Sequence, residues 1–349
     1  VLDLVEKLVC QKTLLDKREI PDLKGSLFSI FLELLAKKSE KKIVFVPSSK
    51  NKKEILSKDL NSPEFPSFSL TSTMLEPHIQ TKTKYFDAYH RFFLKNEKIS
   101  VANPCFFLLP LPDLSDMFLA LKTGEETDGE KIKKFLTETG YTNTDIVKEA
   151  GEFAFRGNII DFFPFNSEFP VRVEIEFDEV ETIKLFDPAS QKSVKAIAET
   201  TIFPIFPLKN TEKEREKLKN RLKKLFKGEK LKLSLKEKIS QIEKGHLKDF
   251  FYLSLALKED FFEEKLKNTI FLFEDKQNFE NRIEEIKKEI EKLYKEETEN
   301  GYLALPFDKI FKNISKLKEF LKDKSIFINP QDTTLLSSIP PIVKGRIEE

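Results

Sequence analysis

Two arginines stand sixteen residues apart in a chain that otherwise carries its positive charge on lysine: Arg156 in Phe-Arg-Gly and Arg172 in Pro-Val-Arg. Only eight of the 60 basic residues are arginines. A guanidinium presents a planar fork of donors that a lysine ammonium cannot copy, so arginines kept against such a bias suit bidentate contacts with carboxylates. Strand alternation alone favours two solvated positions, and at exposed positions their replacement should change thermal stability little. Glu176 and Phe177, four and five residues beyond Arg172, are further candidates for a contact surface. Asp161, between the arginines, reads as a brace for a hairpin, and Gly157 as the site of a β-bulge.

Other chemistries are sparsely supported. A phosphate-binding loop needs glycines for close backbone approach, a lysine on the β and γ phosphates, and Ser or Thr on magnesium. None of the ten glycines is followed by lysine, which excludes a Walker A motif. The stretch Asp22 to Leu27, with Gly25-Ser26, reads as an ordinary helix start, and Ile270 to Asp275 as a strand that ends in acidic residues. There is no Gly-x-Ser-x-Gly and no His-Glu-x-x-His, and carboxylates are too abundant for a catalytic pair to stand out. Cys10, Cys105, His78, His90 and His246 have neither disulfide nor zinc spacing. No catalytic residue, cofactor-binding residue or metal ligand is therefore assigned.

With 60 basic against 59 acidic residues, the net charge of +1 does not steer the whole chain onto nucleic acid or an acidic membrane. Lysine runs at Lys50 to Lys53 and Lys219 to Lys227 read as charge on solvated faces. No apolar run approaches the ~18 residues needed to span a bilayer, and no charged and apolar leader opens the chain. A cytoplasmic protein is expected. A start at Val1 and an end in Pro-Pro-Ile-Val-Lys-Gly read as a piece of a longer chain.

The 349 residues, 40% of them apolar, are enough for two or three domains. Over 1–112, Leu27, Ile30, Phe31, Leu34 and Leu35 recur at helical spacing, then Ile43 to Val46 reads as a short buried strand. Residues 78–94 read as helix and Ile99 to Ala102 as another strand, which argues for a parallel α/β sheet. Over 113–205, a helix carrying Ile132, Phe135 and Leu136 stops at Gly140, and strand patterns follow. Val171, Val173, Ile175 and Phe177 fall on one face, with Arg172, Glu174 and Glu176 on the other. This segment reads as an antiparallel meander with one helix, inserted into the first domain. Over 206–331 the chain becomes helical, with Phe279, Ile283, Ile286, Ile290 and Leu293 in one stripe. Strands at Ile270 to Phe273 and Ile326 to Ile328 would complete the first sheet, and 332–349 reads as a linker.

Gly140-Tyr141, Val147, Gly151-Glu152-Phe153, Arg156-Gly157, Ile160 to Pro164, Pro170-Val171-Arg172, Leu185-Phe186-Asp187 and Gln191-Lys192-Ser193 occur in that order. This series resembles the inserted domain shared by UvrB and the transcription-repair coupling factor (Mfd) family. The resemblance implies a degenerate P-loop-like parallel-sheet domain, an inserted α+β domain at 113–205 and a helix-rich return at 206–331. It further implies a UvrA-recruiting module without its own ATPase, in which Arg156, Arg172, Glu176 and Phe177 contact UvrA. UvrB has an intact P-loop and this chain does not, which favours the coupling-factor reading over that of a UvrB-like DNA-handling subunit or a purely structural domain. RNA polymerase, double-stranded DNA, ATP and magnesium would then belong to the rest of the parent chain, whose carboxy-terminal domain can mask the module. The family places an aromatic residue four positions after the second arginine, where this chain has Glu176, with Phe177 next to it.

Overall fold

The computed structural model describes residues 18–329 apart from 24, 49, 69–76, 227–231, 248–249 and 305. Cys10, Lys24, Lys227 and the expected linker from 332 lie outside the described residues. The strands are β1 (Glu19–Pro21), β2 (Lys42–Val46), β3 (Glu64–Phe65), β4 (Ile99–Ala102), β5 (Leu119–Lys122), β6 (Thr142–Asn143) and β7 (Glu152–Arg156). They continue with β8 (Ile159–Phe162), β9 (Val171–Glu176), β10 (Glu179–Phe186), β11 (Ser193–Ile197), β12 (Glu199–Ile202), β13 (Thr269–Phe273) and β14 (Ser325–Asn329). The helices that position them include α1 (Ser26–Ser39), α2 (Lys50–Leu60), α3 (Ile79–Tyr89), α4 (Pro104–Leu108), α5 (Gly129–Glu138) and α6 (Lys276–Glu299).

One sheet runs β1-β14-β13-β2-β4-β3 with every pair parallel. Its middle strand β13 is buried along its whole length, as a strand covered on both faces must be. On one face, Leu27, Phe28, Phe31 and Leu32 of α1 meet Ile43, Phe45, Leu272 and Ile326. On the other, α4 and α6 bring Phe107 and Phe279 against Phe271 and Phe273, with ring centroids 4.6 to 5.7 Å apart. The apolar stripe of α6 is buried at Phe279, Ile283, Ile286 and Ile290. Strands from both ends of the chain thus make one sheet, and the segment between β4 and β13 is carried on it.

Within that segment, residues 119–202 form a unit entered and left through the antiparallel pair β5 and β12. Its own sheet has the order β11-β10-β9-β8-β7-β6. From β7 to β11 it is an antiparallel meander, whereas β6 pairs in parallel with β7, a pairing the meander pattern did not contain. Ile132 and Leu136 of α5 are buried in the same core as Phe153, Ile160, Phe162, Val171 and Val173. The helix starts where the Asp128 side chain accepts from the Glu130 amide and stops before Gly140. Gly140 has φ +103°, and a Cβ there would lie 2.5 Å from the buried Phe206 ring, so both backbone and space demand glycine.

Three local expectations change. Gly157 is not a bulge: Arg156 and Ile159 are directly paired, so Gly157-Asn158 is a two-residue turn, with φ +64° at the glycine. Register shifts lie instead on β10, between Val180 and Thr182 against β9 and between Leu185 and Phe186 against β11. Phe177 does not share the buried face of Val171, Val173 and Ile175, because the strand has ended at Glu176 and Phe177-Asp178 form the next turn. Lys52, in the first lysine run, is buried beside α1 and pairs with Asp22 rather than facing solvent.

Candidate functional site

Successive residues of a strand point to opposite sides, so burying Val171, Val173 and Ile175 turns Arg172, Glu174 and Glu176 to the outer face. The pairing register places Ala154, Asp161, Arg172, Lys184 and Ala196 in one row across five strands. Arg156, Ile159, Glu174 and Thr182 make the next row. Arg156 therefore reaches Asp161 diagonally, within the range of a long side chain.

The two arginines converge on that one carboxylate. Arg172 donates from Nε to Oδ1 of Asp161 at 2.7 Å and from Nη2 to Oδ2 at 2.8 Å. Arg156 donates from Nη2 to Oδ2 at 2.6 Å. Side-chain exposure is 0% at Asp161, 18% at Arg172 and 49% at Arg156. Arg172 also lies over the Phe186 ring, 4.6 Å from its centroid, and the Asp161 hydrogen bonds raise its pKa above the ordinary value. It is thus largely an internal counter-ion, contrary to the expectation of a freely exposed residue. A buried carboxylate without a cation is costly, and the two-point contact from Arg172 supplies the main counter-charge to Asp161. About half of the Arg156 side chain remains exposed, while the same carboxylate holds its Nη2.

The neighbouring charges are paired as well. Glu174 accepts from Lys184 at 3.0 Å and from Thr182 at 2.9 Å, and the Lys184 hydrogen bond leads in holding its carboxyl below the usual range. Most motif residues have internal duties. Tyr141 donates to the Phe203 carbonyl, Glu152 accepts from the amides of Lys148 and Glu149, and the Asp187 carboxylate accepts from the Ser190 amide. Gln191 donates to the carbonyls of Val147 and Pro188, closing the loop beside Phe186.

Glu176 and Phe177 lie at the far end of β9. Glu176 is exposed and in register with Glu179. Phe177 is 100% exposed at φ +49°, and Asp178 follows at φ +62°. Two positive φ values make a type I′ hairpin turn, which normally takes Asn or Gly. The Ile175 amide donates to the Asn158 carbonyl at 2.9 Å, so this turn and the Gly157-Asn158 turn share one end of the sheet. The structure therefore brings Arg156 and Arg172 together on Asp161 and puts Phe177 at the rim. Sequence reading missed that rim, because a bulky aromatic residue is a poor signal for a left-handed turn.

Among the described residues, no group of three or more His, Cys, Asp or Glu is placed to hold a metal ion, and no helix is long and apolar enough to cross a membrane.

Residues 119–206 match the family model of the UvrB interaction domain. The transcription-repair-coupling factor of Bacillus subtilis is 26% identical over 203 residues, 54% of this chain and 17% of that protein. The corresponding factor of Myxococcus xanthus is 33% identical over 97 residues, 28% of this chain and 8% of that protein. The UvrABC system protein B of Legionella pneumophila is 38% identical over 118 residues, 31% of this chain and 18% of that protein. The match thus spans less than a fifth of each of these relatives. The part of the chain that matches the UvrB interaction domain thus begins at β5, ends just after β12 and holds the Arg156-Asp161-Arg172 cluster, in a chain similar to both transcription-repair-coupling factors and UvrB.

Proposed function

We propose that this chain is the UvrA-recruiting module of a transcription-repair coupling factor, linking stalled RNA polymerase to nucleotide excision repair. The inserted domain would bind UvrA through Arg156, Arg172, Glu176 and Phe177. RNA polymerase and double-stranded DNA would be engaged by other parts of the parent, an ATP-driven DNA translocase whose carboxy-terminal domain can mask this module. The observation that carries this reading is the half-exposed Arg156 side chain, fixed with Arg172 on one buried carboxylate within the segment that matches the UvrB interaction domain. A pre-positioned fork of this kind loses little freedom when it meets a partner carboxylate.

UvrB proteins match the same domain, so a UvrB-like excision subunit is the competing reading. Two features favour the coupling factor. Its Bacillus subtilis relative matches over 54% of the chain, against 31% for the Legionella pneumophila UvrB. The sequence also lacks any Gly-Lys dipeptide for a phosphate loop. Near the carboxyl ends of β1 and β13, where open α/β sheets bind ligands, Lys52 pairs with Asp22 and lies 3.9 Å from Glu274. Such a lysine is already engaged by carboxylates, which supports a module without nucleotide chemistry.

Calorimetric titration with UvrA tests the reading: saturable binding is expected, weakened about tenfold by Arg156→Ala. A parallel titration with magnesium-ATP should show no saturable binding. Absence of UvrA binding would refute recruitment, and tight nucleotide binding would return the chain to the UvrB reading.

A further inference from the structure

Away from the inserted unit, the parallel sheet carries a cavity of about 250 Å³ on the face covered by α6. Strand pairing sets Phe273 of β13 beside Phe327 of β14, with their rings stacked 5.9 Å apart, and Phe271 beside Ser325. Ser325 is too small to fill the space between the sheet and the helix α7 (Ile314–Lys322), so a gap opens between the last turn of α7 and the first turn of α6. Its floor is Phe273, Phe279 and Leu321, each at most 5% exposed, with the half-buried Phe327 at one side. Four cations ring its mouth, Arg18, Lys276, Lys318 and Lys322, against the single carboxylate of Glu280. Arg18 is held by Asp323 at 2.9 Å and Lys318 by Glu284 at 3.2 Å, both carboxylates lying outside the cavity lining. Lys276 lies 3.9 Å from Glu280 and over the Phe327 ring, 5.0 Å from its centre. The Lys322 ammonium has no ion-pair partner among the described residues. A chain with a net charge of +1 thus gathers a local excess of three positive charges around one apolar hole.

We propose that this cavity is a docking site for a short acidic segment of a partner protein, which seats one aromatic side chain on the phenylalanine floor and places its flanking carboxylates on Lys276, Lys318 and Lys322. The size suits a single side chain, since sites for whole small molecules usually enclose about 300 Å³ or more. Phenylalanine rings favour another ring, edge-on or offset, beyond the area that it buries. The rim selects carboxylates, and complementary charge of this kind sets orientation and association rate. Asp323 and Glu284, behind the rim, interrupt any longer basic track, which disfavours the continuous phosphate backbone of a nucleic acid as the occupant. The cavity lies on a different sheet from Arg156 and Asp161, so the proposal is independent of UvrA recruitment.

The test titrates the full chain into a fluorescein-labelled peptide, Gly-Asp-Glu-Phe-Glu-Asp-Gly, and follows fluorescence anisotropy. Saturable binding is expected below about 1 mM. Replacing the peptide's Phe by Ala, or its acids by the matching amides, should each weaken binding about tenfold. On the protein, Lys276→Glu combined with Lys322→Glu reverses two exposed charges, and Ser325→Leu fills the cavity. Both should also weaken binding about tenfold. The charge variant should melt like the unaltered chain, as expected of exposed positions, so it decides the matter if Ser325→Leu disturbs folding. No saturation, equal binding of the Phe and Ala peptides, or unchanged binding by the charge variant would overturn the proposal. So would three reassignments: to a free aromatic acid, if phenylpropionate displaces the peptide at equal concentration; to nucleic acid, if a short DNA duplex does; and to a second copy, if sedimentation shows a dimer that the charge variant dissolves.

Discussion

Arg172 grips Asp161 with both edges of its fork, Nε on one carboxylate oxygen at 2.7 Å and Nη2 on the other at 2.8 Å, where Asp161 has no solvent exposure. The residue that sequence offers as a contact is therefore also the main counter-ion of a buried charge. Binding and stability are coupled at Arg172 and separable at Arg156.

Arg172→Ala should destabilise the domain by about 2 to 3 kcal/mol, since it strands a buried carboxylate. The loss stays below that of a fully isolated pair because Arg156 remains on Oδ2 at 2.6 Å. Urea unfolding measures it. A change under about 0.5 kcal/mol would mean that Arg156 alone suffices.

Arg156→Ala should leave stability within about 0.5 kcal/mol, because half of its side chain is exposed and Arg172 still holds Asp161. Its effect belongs to UvrA affinity, where about a tenfold loss is expected. A melting curve paired with each titration separates the two arginines, and an equal fall in stability for both would erase the distinction.

Gly140→Ala and Gly157→Ala should differ although both glycines have positive φ. At Gly157 nothing lies within 4 Å of an added Cβ, leaving only the backbone cost of about 1 kcal/mol. At Gly140 the Phe206 ring is 2.5 Å away, so overpacking adds to that cost and the total reaches about 2 to 4 kcal/mol. Similar midpoints for the two variants in denaturant would contradict this account.

Lys42 makes stability rise with pH under alkaline conditions. Its ammonium donates to the Phe92 carbonyl and lies 4.6 Å from the centre of the Phe92 ring. Burial, then the charges of Lys98 and Lys265, lower its pKa from 10.5 to about 8. Between those values the unfolded chain holds a proton that the folded chain has released, so unfolding takes up a proton and stability grows with pH. Below about 8 both states are charged and the cost of burial is fully present. Lys42→Met removes that cost, so the advantage of the variant should shrink as pH rises from 7 to 10. Chemical denaturation at several pH values checks this, and a constant difference would reject it.

Elements with strong local signals were legible from sequence: the apolar run Ile43 to Val46, the helix of Ile132 and Leu136 ending at Gly140, and the alternation Val171, Val173, Ile175. Periodicity and turn chemistry act over a few residues, and a single sequence displays them directly. Asp161 as a brace was legible in the same way, whereas the arginines were read as contacts for a partner on adjacent strands, and β8 with Asp161 lies between them.

Tertiary structure alone decided how Arg172 spends its donors, where the strand gives way to the Phe177 turn, and that Lys52 is buried. It also decided that β13 lies between β14 and β2, within a sheet where the Ser48 amide bonds Glu274, 226 residues away. These outcomes depend on which distant segment supplies the opposing carboxylate, ring or strand edge. Local pattern says that Arg172 leaves the apolar face; only the neighbouring strand, in its register, puts a buried carboxylate under it.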